Sequence, residues 1–223
     1  MTATEQGGLR ADARRSTARI LEAAQKVLAE DPSASLERIA EAAGLARATV
    51  HRRFASRQAL LDALVQDLTD RYLSIIKEVR VRTAPPLIVL HRATEITLRL
   101  KYSHPFVTSL TPTHESPGAP ASHPRIVEEL EVLFSRLHAA GHITTPDPAW
   151  GRRVYLALLN EIHHLPATSF SLSLDDDADV DDQVDARVTL LITTLLGALG
   201  GTTPHREGEA PLDRHIRIGP AQP

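Results

Sequence analysis

Between Ser35 and Leu61 the chain reads SLERIAEAAGLARATVHRRFASRQALL, and this stretch restricts the fold more than any other. Two short runs of helical period, Leu36 to Ala43 and Arg47 to Phe54, meet at Ala-Gly-Leu. Ser35 is a good N-cap for the first run, and Glu37 in its first turn complements the helix dipole. Gly44 stands where a helix end calls for a left-handed backbone. Ile39, Ala40, Ala43, Leu45, Val50 and Phe54 are spaced to pack the two runs together, and the small Ala40 and Ala43 permit a close crossing. The spacing predicts a helix-turn-helix, whose sharp bend requires the glycine.

With Val50 and Phe54 turned inwards, Arg52 lies about 200° round the helix from Val50, at about 100° per residue. Arg52 therefore points away from the core. Arg47, Ala48 and His51 share that outward arc, and Arg53 sits at its flank. A short helix with this surface suits the DNA major groove, which is ~12 Å wide and offers paired acceptors on guanine. The same pattern also fits a charged, solvated face. Charge distribution favours the first reading: residues 1–60 hold ten Lys/Arg and seven acids, a head of +3, against −6 for the rest of the chain. A basic head on an acidic body is an electrostatic footprint of nucleic-acid binding.

The flanking segments extend the helical pattern. Ile20, Leu21, Ala24, Val27 and Leu28 recur at three- and four-residue steps from Arg14 to Glu30, and Asp31-Pro32 stops them. Ser56 caps a longer run from Arg57 towards Val81, closed by Pro85-Pro86. Further helices are predicted from Leu87 to about Leu100 or Leu110, with a break near His104-Pro105, from Ile126 to Ala140, from Asp147-Pro148 to about Leu165, and from Val184 to Leu199. Residues 111–125 carry four prolines and read as a long loop, and the acidic run Asp175 to Asp182 reads as a solvated linker. Aromatics are only 4% of the chain against 42% apolar residues overall, which favours helices over a sandwich or barrel.

The chain contains no cysteine, which excludes disulfides, thiolate metal sites and a cysteine nucleophile. No P-loop, HExxH, GxGxxG or strand-turn elbow occurs, so no enzyme is expected. The N-terminus has no apolar signal core, and no apolar run approaches the ~18 residues that span a membrane. A cytoplasmic protein without membrane contact is expected.

The whole stretch from about residue 14 to 70 resembles the tetracycline-repressor (TetR) family. The resemblance is carried by the leading helix RRSTARILEAAQKVLAE, by SLERIAEAAGLARATVHRRF, and by SRQALLDALV opening the fourth helix. It implies an all-α protein: a helix-turn-helix head of three short helices, joined by a long fourth helix to a C-terminal ligand-binding and dimerisation bundle. The boundaries expected are a flexible arm at 1–12, the DNA-binding domain at 13–60, the body at 61–201 and a disordered tail at 202–223. In such proteins the third helix enters the major groove. The resemblance places Arg47 and Ala48 near base edges and Thr49, His51 and Arg57 near phosphates. Arg52 lies on the same outward arc, Arg53 reaches either target, and Ser35 matches a phosphate-contacting cap. Three positions depart from the family pattern: Ala46 replaces a Ser or Thr cap, His51 replaces a Tyr, and Arg57 replaces a Lys. A missing cap costs about 1 kcal/mol.

The resemblance further implies a homodimer through the last two helices, a palindromic double-stranded DNA operator, repression, and release by a small-molecule effector. Small residues at Thr193, Thr194, Gly197 and Ala198 would permit the close helix pairing, although the same helix could lie in a monomer core. Aromatic or polar groups on otherwise apolar faces supply the ligand-binding candidates: His91, Glu95, Leu98, Tyr102, Phe106, Phe134, Leu137, Trp150, Tyr155 and His163. A regulator whose body docks a protein partner is the alternative. His91 with Glu95, and Glu161 with His163-His164, could be drawn as metal ligands, but eleven scattered histidines make chance the simpler reading, and no metal or cofactor is expected.

Overall fold

The computed structural model describes residues 3–110, 118–172 and 179–201, the side chains from Asp12 onwards. Nine α-helices and no strand occur among them. The fold is all-α. The head comprises α1 (Ala3–Glu30), α2 (Leu36–Ala42), α3 (Arg47–Arg53) and the first half of α4 (Arg57–Glu78). The body comprises the rest of α4 with α5 (Pro86–Ser103), α6 (Pro105–Leu110), α7 (Pro124–Ala139), α8 (Pro148–His164) and α9 (Val180–Ala198).

The helix ends follow local chemistry. The Ser35 hydroxyl accepts from the Arg38 amide at 3.3 Å, and Ser56 from the Ala59 amide at 3.1 Å. Asp147 accepts from the amides of Ala149 and Trp150, with Pro148 at the first helical position. Ala46 offers α3 no side-chain cap. The start of α9 departs from expectation. Asp179 accepts from the amides of Asp181 and Asp182 while Asp182 reaches back to the Asp179 amide, a reciprocal capping box. Part of the acidic run is thus a helix start, favoured because carboxylates complement the N-terminal dipole; residues 175–178 lie outside the described residues. α1 also departs: its backbone is helical from Ala3, so residues 3–12 are not the irregular arm that Gly7-Gly8 suggests. A glycine costs a helix only about 1 kcal/mol, and strong formers flank this pair. The proposed tail at 202–223 and loop residues 111–117 lie outside the described residues; the remainder of that loop forms a 3₁₀ turn, Pro120–Ser122.

Two hydrophobic cores result. The head core gathers Ile20, Ala24 and Leu28 of α1, Ile39 of α2, Val50 and Phe54 around α3, and Leu60, Leu64 and Leu68 of α4. It is completed by Phe106 and Val107 of α6, which the sequence alone assigns to the body. The break at His104-Pro105 turns α6 back against α1 and α4, so the head is not self-contained within residues 13–60. The body core gathers Val89, Leu90 and Leu98 of α5, Leu133, Phe134 and Leu137 of α7, Tyr155 and Leu159 of α8, and Val188, Leu191 and Leu195 of α9. α4 runs through both cores. Its end is held by Arg136 of α7, whose guanidinium donates to the carbonyls of Val81 and, at 2.7 Å, Ala84. None of the described helices is long and apolar enough to cross a membrane.

Candidate nucleic-acid interface and body cavity

α3 presents two different faces. Val50 is fully buried and Phe54 nearly so, whereas Arg47, Ala48, His51, Arg52 and Arg53 are exposed and Thr49 is half-buried. The bend that sets this orientation rests on Gly44, at φ +61°, and on Arg19 of α1, whose guanidinium donates to the Ala43 carbonyl at 2.7 Å. That bond satisfies an orphan carbonyl at the end of α2. Arg19 is a positioning residue that the sequence reading missed, and nothing in the sequence sets it apart from Arg14 and Arg15 on the same helix.

The exposed cations are not equally free. Glu37 of α2 pairs with Arg47 at 2.6 Å and lies 3.4 Å from His51, whose ring nitrogen is 3.4 Å from the Arg47 Nε. The trio bridges α2 and α3. Hydrogen bonding from its own backbone amide, and then from Ser35 and His51, holds the Glu37 carboxyl below the usual carboxylate range. Arg57 is half-buried and donates to the Pro32 carbonyl, so it ties α4 to the α1–α2 turn. Arg52 and Arg53 make no hydrogen bond or ion pair with the described residues. All eight DNA-binding candidates lie in α2, α3 or the start of α4, counting Ser35 as the cap of α2.

The body contains a recessed cavity of about 120 Å³. Its walls are Leu68, Tyr72, Ile75 and Ile76 of α4, Val79 and Val81 of the following turn, Ala93, Thr97 and Lys101 of α5, Thr108 of α6, Ala119 to Ala121, Ile126, Glu129, Leu130 and Leu133 of α7, and Tyr155, Leu156, Leu159 and Asn160 of α8. Four of the lining residues, Ala93, Thr97, Ala119 and Ala121, are small. Polar groups are few. Tyr155 meets Thr94 at 3.2 Å, and burial pushes its hydroxyl up to about 12. Burial also raises Tyr72. Glu129 accepts from Arg82 at 3.0 Å. Burial draws Lys101 down to about 8.

Of the ten ligand-binding candidates, Tyr155 alone lines this cavity. Leu98, Phe134 and Leu137 are packed in the body core, and Phe106 belongs to the head core. Their side chains are consumed by packing rather than turned to open space. His91 and Glu95 border a shallow surface depression with Leu87, Ile88 and Arg92. Trp150 is 52% exposed. Tyr102 and His163 do not line the cavity; their rings meet at a tilt of 54° with centroids 4.9 Å apart. The lining residues missed on α5 had a sequence signal: Ala93, Thr97 and Lys101 fall at four-residue steps on one helical face. Among the described residues no group of three or more His, Asp or Glu side chains could hold a metal.

The comparisons with known proteins agree with this geometry. A family model described as bacterial regulatory proteins, tetR family, matches residues 20–64. The chain is 34% identical over 140 residues to the HTH-type transcriptional repressor LfrR of Mycolicibacterium smegmatis, covering 63% of this chain and 73% of that protein. The crystal structure of the TetR-like regulator LfrR from Mycobacterium smegmatis in complex with proflavine matches with a TM-score of 0.54 and 29% identity, over 80% of this chain and 96% of that one. The TetR family transcriptional regulator PfmR from Thermus thermophilus shares the fold, with a TM-score of 0.59 and 22% identity over 80% of this chain and 97% of that one.

Proposed function

This chain belongs to the tetR family of bacterial regulatory proteins, and from that premise we propose that it represses transcription as a homodimer on a palindromic operator and is released when a small molecule fills the body cavity. The family is one of DNA-binding transcriptional regulators, not of enzymes. The observation that carries the regulatory part is the sharing of elements between cavity and head. Leu68 of α4 belongs to the head core and also walls the cavity, and α6 contributes Phe106 and Val107 to the head core and Thr108 to the cavity. A ligand that displaces Thr108 or Leu68 must move groups on which α1 and α4 pack.

The cavity is small for such a ligand. Pockets for drug-sized molecules hold about 300–1,000 Å³, while a dry cavity of about 150 Å³ admits a single aromatic ring. LfrR has been crystallised in complex with proflavine; in this chain an effector larger than the cavity would have to expand it at the expense of the α4 and α6 contacts. That is the energetic link: the ligand shifts the equilibrium by no more than its difference in affinity between the DNA-competent and expanded forms. A recessed, mainly apolar cavity between α4, α5, α7 and α8 favours a small molecule over a docked protein as the effector.

Dimerisation is assigned to α8 and α9. In the isolated chain α9 buries Val184, Val188, Leu191 and Leu195, and turns Thr189, Thr193, Thr194, Gly197 and Ala198 outwards. α8 turns Trp150, Ala157 and Glu161 outwards. The α9 face carries small side chains that let helices approach closely. Two-fold pairing would present two copies of α3 to half-sites about 34 Å apart.

Selection of bound fragments from sheared genomic DNA tests the reading. Enrichment of fragments sharing an inverted repeat is expected, with gel shifts reversed by the effector. Absence of any enriched sequence would overturn it. A thermal-shift screen against metabolite classes locates the effector, since a ligand at 100 times its dissociation constant adds ~2.7 kcal/mol.

A further inference from the structure

Beside the cavity, three helices bring together positively charged and hydrogen-bonding groups that lack a counter-charge among the described residues. Arg187 of α9 is only 2% exposed. Two of its guanidinium nitrogens cap backbone: one donates to the Gln183 carbonyl at 3.1 Å and one to the Leu165 carbonyl at 2.8 Å, at the end of α8. Its Nε is buried without a partner. The guanidinium carbon lies 5.6 Å from the centre of the Tyr102 ring, and the Tyr102 hydroxyl is likewise buried without a partner. His163 stacks on Tyr102, and its Nδ1 is a third buried atom with none. Lys101 is adjacent to Tyr102 on α5 and close enough to act on His163, and its ammonium makes no ion pair or hydrogen bond with the described residues. Among the described residues no carboxylate pairs with Lys101 or Arg187.

An orphaned buried donor costs about 1–3 kcal/mol, and an unpaired buried charge costs more. Here such groups converge within one cluster, which a packing accident does not explain. Capping of α8 explains two nitrogens of Arg187 and nothing of Lys101, Tyr102 or the Nε. Lys101 also lines the cavity, together with Thr97 one turn before it and Asn160 one turn before His163. Lys101 thus joins the cluster to the apolar chamber, while Tyr102, His163 and Arg187 are not among the residues that line it.

We propose that Lys101, Tyr102, His163 and Arg187 form an acid-group subsite, so that the effector is an apolar molecule bearing a carboxylate, its hydrocarbon part in the cavity and its oxygens at the Lys101 end. The proposal rests on the reading of the body as a small-molecule sensor. A carboxylate brings acceptors for the Lys101 ammonium, the Tyr102 hydroxyl and the free Arg187 Nε, and it neutralises the local positive charge. The state of the groups is compatible: Lys101, lowered by burial to about 8, is still mainly charged at neutral pH, and burial followed by Lys101, His164 and Arg187 holds His163 neutral, down at about 4. A neutral imidazole leaves the site two cations, Lys101 and Arg187. The chemistry is opposite to that of a cationic dye such as proflavine.

Matched probes test this on the full-length protein at pH 7: 4-phenylbutyrate, its neutral amide 4-phenylbutyramide, and proflavine, each titrated by calorimetry or ligand-observed NMR. The expected result is carboxylate binding at least tenfold tighter than the amide. Lys101→Met should bring the ratio of the two affinities to about one, and Tyr102→Phe should lower it several-fold. The ratio is its own control for folding, because a damaged chain loses both ligands together. Equal affinities, or preference for amide or proflavine, in the wild type would overturn the acid-group subsite and leave the sensor reading standing. An unchanged ratio in both variants would also overturn it. No binding of any probe would count against the sensor reading and the subsite with it.

Discussion

In the proposed interface Arg47 is the residue assigned to base reading, and its guanidinium is held by Glu37 at 2.6 Å. Arg47→Ala is expected to weaken operator binding by about 1–3 kcal/mol while changing affinity for random duplex far less. Parallel gel-shift titrations check this, and equal losses would remove Arg47 from base contact. Glu37→Gln releases Arg47 and His51 and deletes a negative charge beside the interface, so random-duplex affinity should rise several-fold at low salt and less at high salt. Arg57→Ala carries two expected effects, a salt slope lower by about one phosphate unit and a lower Tm, because this side chain also binds the Pro32 carbonyl. Protonation of His163 gives a pH signature. Its ordinary value of 6.5 is lowered to about 4 in the folded chain, chiefly by burial. The unfolded chain therefore binds more protons between those values, and this residue's contribution makes stability fall as pH drops from 6.5 towards 4. Urea unfolding across that range checks it: His163→Gln should flatten the loss, and an unaltered profile would contradict the burial argument.

At the scale of elements, caps and turns decide where each helix begins and ends. Gly44 has φ +61°, and a Cβ there would come 3.1 Å from the Arg19 guanidinium that holds the bend. Gly44→Ala should cost about 1–2 kcal/mol for the left-handed backbone alone, read as a lower Tm with operator binding impaired. Gly151 fails differently. It is an interior helix residue whose added Cβ would stand 2.6 Å from a carbon of the buried Phe134 ring. Gly151→Ala should destabilise the body by about 1–3 kcal/mol despite the better helix propensity of alanine. A Tm at or above wild type would show that the α7–α8 contact yields freely. Such local features were legible in the sequence: Ser35, Ser56, Asp147 and Gly44 announce their roles by type and position. Asp179 and Asp182 were not, because a run of acids reads as solvated linker until one knows that a helix begins inside it.

For the molecule as a whole, the exposed arc of α3 was legible and the cavity was not, and the reason is physical. One helix with two buried anchors, Val50 and Phe54, fixes every other side chain on it by rotation alone. A cavity depends on the registers of α4, α5, α7 and α8 against one another, which no single helix encodes. Phe134 and Leu137 look like lining residues and are core; Ala93 and Thr97 look like filler and are lining. The α6 insertion into the head core was hidden for the same reason, since Phe106 and Val107 carry no mark of which core they enter. The α8–α9 pairing has a convenient reporter in Trp150, the chain's one tryptophan, which is 52% exposed in the single chain. Dimerisation through this face should shift its emission to the blue with rising protein concentration, and Thr194→Glu should abolish the shift by placing charges in the close-packed stripe.

The most direct measurement is hydroxyl-radical footprinting of a selected operator, with the chain stoichiometry determined on the same duplex. Two protected patches about one helical turn apart, two chains bound per duplex, and loss of both patches in Arg47→Ala are the expected outcome. One patch per bound monomer, or protection that Arg47→Ala leaves intact, would contradict the placement of α3 in the groove.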